Sequence, residues 1–230
     1  LATKIFDEDD EMRQSLADIL ANQEERGIIP LSKPYYYQNR ISLLEFIFTA
    51  ELESAHLAKP VRKSLNYPTS NCGVIRNESF NVFHKYGHQG PAHAHPDKMN
   101  IEIVVQGHSL SRDLSNSGYG ARLCNEWHRV SASHNTVVVD GENHISMEGG
   151  LVEIFDDHEI KSSVKDVYPG INYERHLKLT EDQFVDEFRV AAVGTHTYDY
   201  FFHVEAALAT QVKANPASLG YEKNGYQHIQ

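Results

Sequence analysis

The segment Gly90–Gly107, GPAHAHPDKMNIEIVVQG, sets two histidines two residues apart and then enters an alternating apolar run. From Asn100 to Val105 the β-branched residues recur with the period of a strand that turns one face to a core. The same texture extends in both directions. Gly73–Arg76 and Ser79–His84 precede it; Thr136–Asp140, Leu151–Phe155, Tyr173–Leu179, Phe184–Val193 and Tyr198–Val204 follow, separated by Gly, Asn, Asp and other polar turn residues. About eight or more short strands at this spacing predict a mainly β fold, a large antiparallel β-sandwich. Asp140–Gly141, after a valine run, reads as a hairpin turn.

Upstream of Pro68 the period changes. Met12, Leu16, Ile19 and Leu20 fall at helical spacing between Asp7 and Gln23, with acidic residues at the front where a helix dipole favours them. Ile41, Leu44, Phe48 and Leu52 mark a second helix over about Gln38–Leu57. Two helices cannot bury their apolar faces alone, so residues 1–66 are read as a helical segment and 67–230 as the sandwich domain.

A net charge of -11 disfavours a nucleic-acid partner, which clustered Lys and Arg would have to hold. No window approaches the roughly 18 uninterrupted apolar residues of a helical span, so a soluble protein without a membrane partner is expected. Cys72 and Cys124 could pair or stay free, and no CxxC pattern points to redox or zinc chemistry at cysteine. The chain opens on Leu1 with no basic start and apolar run, and is expected to be a processed chain or a piece of a longer protein.

In an extended segment His93 and His95 would point the same way and offer a metal or substrate platform; exposed loop histidines are the plainer reading in a chain with 14 His. Asp113 in LSRDLSNSGYG and His134 in SASHNTVVVDG sit at the edges of strand-like segments and complete a His–Asp–His set suited to Zn²⁺, with Mn²⁺ and Fe²⁺ open on the same ligand types. A turn cap at Asp113 and a backbone-bonded histidine at 134 are the alternatives.

Together GPAHAHPDKMNIEIVVQGHSLSRDLSNSGYG, EWHRVSASHNTVVVDG, YERHLKLTEDQFVDEFRV and HTYDYFFHVE resemble the β-sandwich part of the heparinase II/III-like polysaccharide lyases, a group that includes oligoalginate lyases, over roughly residues 67–205. The resemblance implies an α/α toroid packed on the sandwich, with residues 1–66 as the tail of the toroid. It also implies zinc or another divalent metal on His95, Asp113 and His134, and an acidic polysaccharide or oligosaccharide cleaved by β-elimination. His93, Tyr119 and His128 are then the candidate proton-transfer residues, and Trp127 and Arg129 the candidate sugar contacts. Tyr119 packing at a turn is the alternative there. Trp127-His128-Arg129 stands where Trp-Tyr-Arg is expected in many relatives, so imidazole replaces a phenol or the position only lines the cleft. A catalytic Tyr and a carboxylate-binding Asn or His of the toroid are not matched here. The family also implies a periplasmic or secreted location, and a homodimer is left open. The competing readings are a non-catalytic carbohydrate-binding sandwich and, from the HxH pattern alone, a metal-dependent hydrolase or cupin-like enzyme.

Overall fold

Alternating apolar and polar residues make strands that must bury one face, and this chain solves the problem by stacking two antiparallel sheets. The computed structural model describes residues 63–87, 93–114, 116–145, 148–207, 215 and 219–229, all within Lys63–Gln230, one of two units into which the chain divides. The expected helices at Asp7–Gln23 and Gln38–Leu57 lie outside the described residues. Among the described residues no helix is long and apolar enough to cross a membrane.

One sheet runs in the order β1 (Leu65–Tyr67), β2 (Cys72–Arg76), β3 (Phe80–Lys85), β4 (Asn100–Val105), β5 (His108–Ser111). The second, in spatial order, is β10 (Phe184–Ala191), β9 (Ile171–Leu179), β8 (Glu159–Tyr168), β7 (Leu151–Phe155), and a short pair joins β6 (Val137–Val139) to β11 (Tyr198–Tyr200). Every pairing is antiparallel. Ile75, Val82, Ile101 and Ile103 of the first sheet form one buried core with Ile160, Val164, Tyr173 and Leu177 of the second. Each such side chain contributes roughly 1.5–3 kcal/mol on burial. Gly73 permits a close approach of the two sheets, since a Cβ there would lie 2.7 Å from Ile160 Cδ1. The turn at Asp140–Gly141 has both residues left-handed, φ 53° and 68°, and bridges Val139 to Glu142, the geometry of a two-residue hairpin loop.

Three strands depart from the sequence expectation. β1 and β5 are too short to show a period, and β8 hides its own because the inward series Ile160, Ser162, Val164 has a serine at its centre. The interior accepts Ser162 because its hydroxyl lies 2.7 Å from His84 Nε2, while His84 Nδ1 donates to the Asn100 carbonyl at 3.2 Å. Arg175, fully buried on β9, donates from Nε to Asp186 Oδ1 at 2.8 Å, from Nη2 to Asp186 Oδ2, and from Nη1 to the carbonyls of Met99 and Asn135. Lys98 is also fully buried; its Nζ donates to the carbonyls of Gly87, 3.0 Å away, and Glu148, joining the end of β3 to the approach to β7. Burial pushes its pKa down to about 8. Both cysteines are free thiols, Cys124 buried and Cys72 half-buried.

Candidate functional site

His95, Asp113 and His134 come from three segments: the turn before β4, the loop after β5, and the stretch between a short 3₁₀ turn (Ser131–Ser133) and β6. Their ligand atoms converge within 4.8 Å of one another. His95 Nδ1 lies 3.2 Å from His134 Nε2 and 3.7 Å from Asp113 Oδ2, and His134 Nε2 lies 3.4 Å from Asp113 Oδ2. Zn–N and Zn–O bonds of about 2.0–2.2 Å at tetrahedral angles separate neighbouring ligand atoms by roughly 3.3–3.6 Å, so this set fits such an ion. The Val130 carbonyl lies 2.8 Å from His134 Nδ1, which therefore carries its proton toward Val130 and turns the Nε2 lone pair inward, as an oriented metal ligand requires. Burial opposes protonation of His134, but Asp113, Asp97 and that carbonyl outweigh it and raise its pKa.

The two histidines of the opening motif do not reach their partners by strand alternation. His93 is left-handed, φ 60°, and β4 begins only at Asn100. The His93 ring meets Tyr119 edge-on, centroids 4.3 Å apart, and the Arg129 guanidinium lies 5.9 Å from the centre of the same phenol ring. The exposed imidazole and phenol thus group with the half-buried guanidinium, while His95 joins the buried histidine and the carboxylate.

Trp127 and His128 lie on a single π-helical turn, Cys124–His128. Trp127 is half-buried, its ring edge-on to His203 at 5.6 Å and to His228 at 6.1 Å. His128 Nδ1 and Arg129 Nε are buried atoms without a hydrogen-bond partner. His203 is tied to the backbone: Nε2 donates to the Ala132 carbonyl at 2.8 Å, and burial lowers its pKa.

Two neighbours of the site carry no motif of their own. Glu102, on β4, accepts a hydrogen bond from the Asp113 backbone, and its pKa is raised chiefly by burial. Asn135, directly after His134, spends its side chain on hydrogen bonds to β4 and β5. For Glu102 the one available signal was an acid inside an apolar strand.

Known proteins share this arrangement of sheets. A heparinase III gene product superposes with a TM-score of 0.59 at 20% identity, covering 67% of this chain and 26% of its own. The structure of a mutant heparan sulfate lyase HepC from Pedobacter heparinus does so at 0.57 and 16%, covering 64% and 25%. An exo-oligoalginate lyase of Saccharophagus degradans is 25% identical over 174 residues, 61% of this chain and 24% of its own length. The chain therefore spans about a quarter of the length of these relatives. Residues 59–229 match the model of the heparinase II/III-like C-terminal family, and the chain, with its stacked antiparallel sheets, belongs to that family.

Proposed function

We propose that the chain is the sandwich part of a polysaccharide lyase that cleaves uronate-containing chains by β-elimination. The observation that carries this reading is the contact of the Tyr119 phenol with His93 and Arg129, which brings a proton-transfer group and a carboxylate-binding cation together. In the reaction a base removes the C5 proton, the electron pair forms the C4=C5 double bond, the C4–O4 bond breaks, and an acid delivers a proton to O4. Arg129 pairs with the uronate carboxylate, stabilising the charge that develops as the C5 proton leaves. Tyr119 and His93 are the proton-transfer candidates, and Trp127 lends an apolar surface to the sugar.

His95, Asp113 and His134 would hold a divalent ion, zinc by ligand type, whose charge fixes the loops that carry His93 and Asp113. Its place beside the proton-transfer group favours a structural task. A periplasmic or secreted location, where such polymers are met, belongs to the same reading.

Because the sandwich alone can be inactive, the intact lyase that carries it is incubated with alginate, heparan sulfate, chondroitin sulfate and hyaluronan to test the reading. At least one should yield growing ultraviolet absorbance from a double bond conjugated to the carboxylate, falling about 100-fold or more in Tyr119→Phe. Binding without absorbance would favour the sugar-binding sandwich, and new reducing ends without the chromophore would indicate hydrolysis.

A further inference from the structure

We infer that Ser131 and Asn135, on either side of His134, are positioning residues that clamp the three ligand-bearing segments into one site. The inference rests on the metal reading of His95, Asp113 and His134. Ser131 Oγ donates to the Pro96 carbonyl at 2.6 Å, so the residue that follows His95 is tied to the segment carrying His134. The same oxygen accepts the His144 backbone N–H at 2.9 Å, and the Ser131 N–H donates to Asn143 Oδ1 at 2.8 Å, which holds the serine itself in place.

Asn135 makes the matching link on the other side. Its Nδ2 donates to Ser111 Oγ at 2.6 Å, two residues before Asp113, and to the Ile101 carbonyl at 2.8 Å on β4. Its backbone N–H donates to Asn100 Oδ1 at 2.9 Å, and its Oδ1 accepts the His203 N–H at 2.6 Å. Ser131, Ser111 and Asn135 are 0%, 2% and 3% exposed, so water cannot replace a lost partner.

The Ser131–Pro96 and Asn135–Ser111 bonds join positions 35 and 24 residues apart, and each ends within two residues of a ligand. Metal–ligand distances in sound sites stay within about 0.2 Å of their usual values, so the segments that carry the ligands must be held in place. Ordinary packing would need only that these groups be satisfied; the clamp requires in addition that their loss loosen the ion.

Zinc affinity of the full 230-residue chain, measured by competition with a chromophoric chelator where circular dichroism shows each variant folded, tests this. Ser131→Ala and Ser111→Ala should each weaken zinc binding about 10- to 100-fold. Ser162→Ala, which removes an equally buried hydroxyl bonded to His84, should lower the melting temperature and leave zinc affinity unchanged. Because Ser111→Ala reports on the second link independently, the inference stays testable should Ser131→Ala fail to fold. Wild-type affinity in the two site variants, or an equal loss in Ser162→Ala, overturns the clamp and leaves the metal reading standing. A wild-type chain that binds zinc no better than His134→Ala overturns the metal reading and the clamp with it.

Discussion

His84 and His144 occupy places where a charge has no water to meet. Burial, aided at His84 by the nearby Arg175 charge, lowers their pKa values to about 3 and about 4. An unfolded histidine titrates near 6.5, so between about pH 6.5 and 4 the unfolded chain takes up protons that the folded chain refuses. The stability from keeping these rings neutral is complete above that window and is lost as pH falls through it, at up to roughly 1.4 kcal/mol per pH unit for each ring. Melting temperature should therefore drop between pH 7 and 4.5, and drop less steeply in His84→Gln; a slope equal to wild type in that variant would contradict the account. At this scale the sequence disclosed residue types more readily than contacts. His95, Asp113 and His134 stood out as a set because their residue types suit a metal ion and the family resemblance places one on them, not because any one of them is unusual at its position. The separation of His93 from His95 came from the family resemblance and not from their spacing, which in an extended segment would point both the same way; the left-handed backbone at His93 is forced by no neighbouring residue. Asn135 and Ser131 were hidden for another reason: a single amide or hydroxyl reveals nothing of its partners until distant strands are paired.

Strand β9 shows what a period can and cannot tell. Ile171, Tyr173, Arg175, Leu177 and Leu179 alternate inward, and the pattern marked most of this strand while giving no warning that its central inward residue is a cation. That cation is held by Asp186 of β10 and by the Tyr200 hydroxyl, which lies 3.2 Å from Arg175 Nη2 and donates to Asp186 Oδ2 at 2.6 Å. Asp186→Ala would leave a buried guanidinium without its counter-charge, at a cost of about 3–5 kcal/mol, whereas Arg175→Met combined with Asp186→Leu should recover much of that loss. Urea unfolding of the three proteins measures both numbers. A single substitution that costs no more than an exposed pair would show that the ion pair does not hold the two strands. Strands β4 and β7 begin and end where the sequence puts them; β8 was not foreseen, because Ser162 interrupts its inward series.

Across the described sandwich, apolar matter lies between the sheets, and charge gathers on the outer face of the four-stranded sheet. There Lys161 pairs with Glu153 and Glu174, Arg189 with Glu174, and His176 with Glu159. These pairs are screened by water and mark the solvent side of the sheet. The sandwich architecture was legible because strand period and turn residues repeat along the chain. What the sandwich works against was not, because substrate clefts form between parts of a protein and this chain spans about a quarter of its relatives.

Lys98 adds a practical consequence. A primary amine sealed against two carbonyls is inaccessible to acylating reagents, so brief treatment with an N-hydroxysuccinimide ester should label exposed lysines such as Lys178 and Lys223 and spare Lys98. Peptide mass spectrometry then turns one side chain into a clock for opening of the sandwich: modification of Lys98 should track the population of the unfolded chain, and its prompt labelling in the native protein would disprove the burial described.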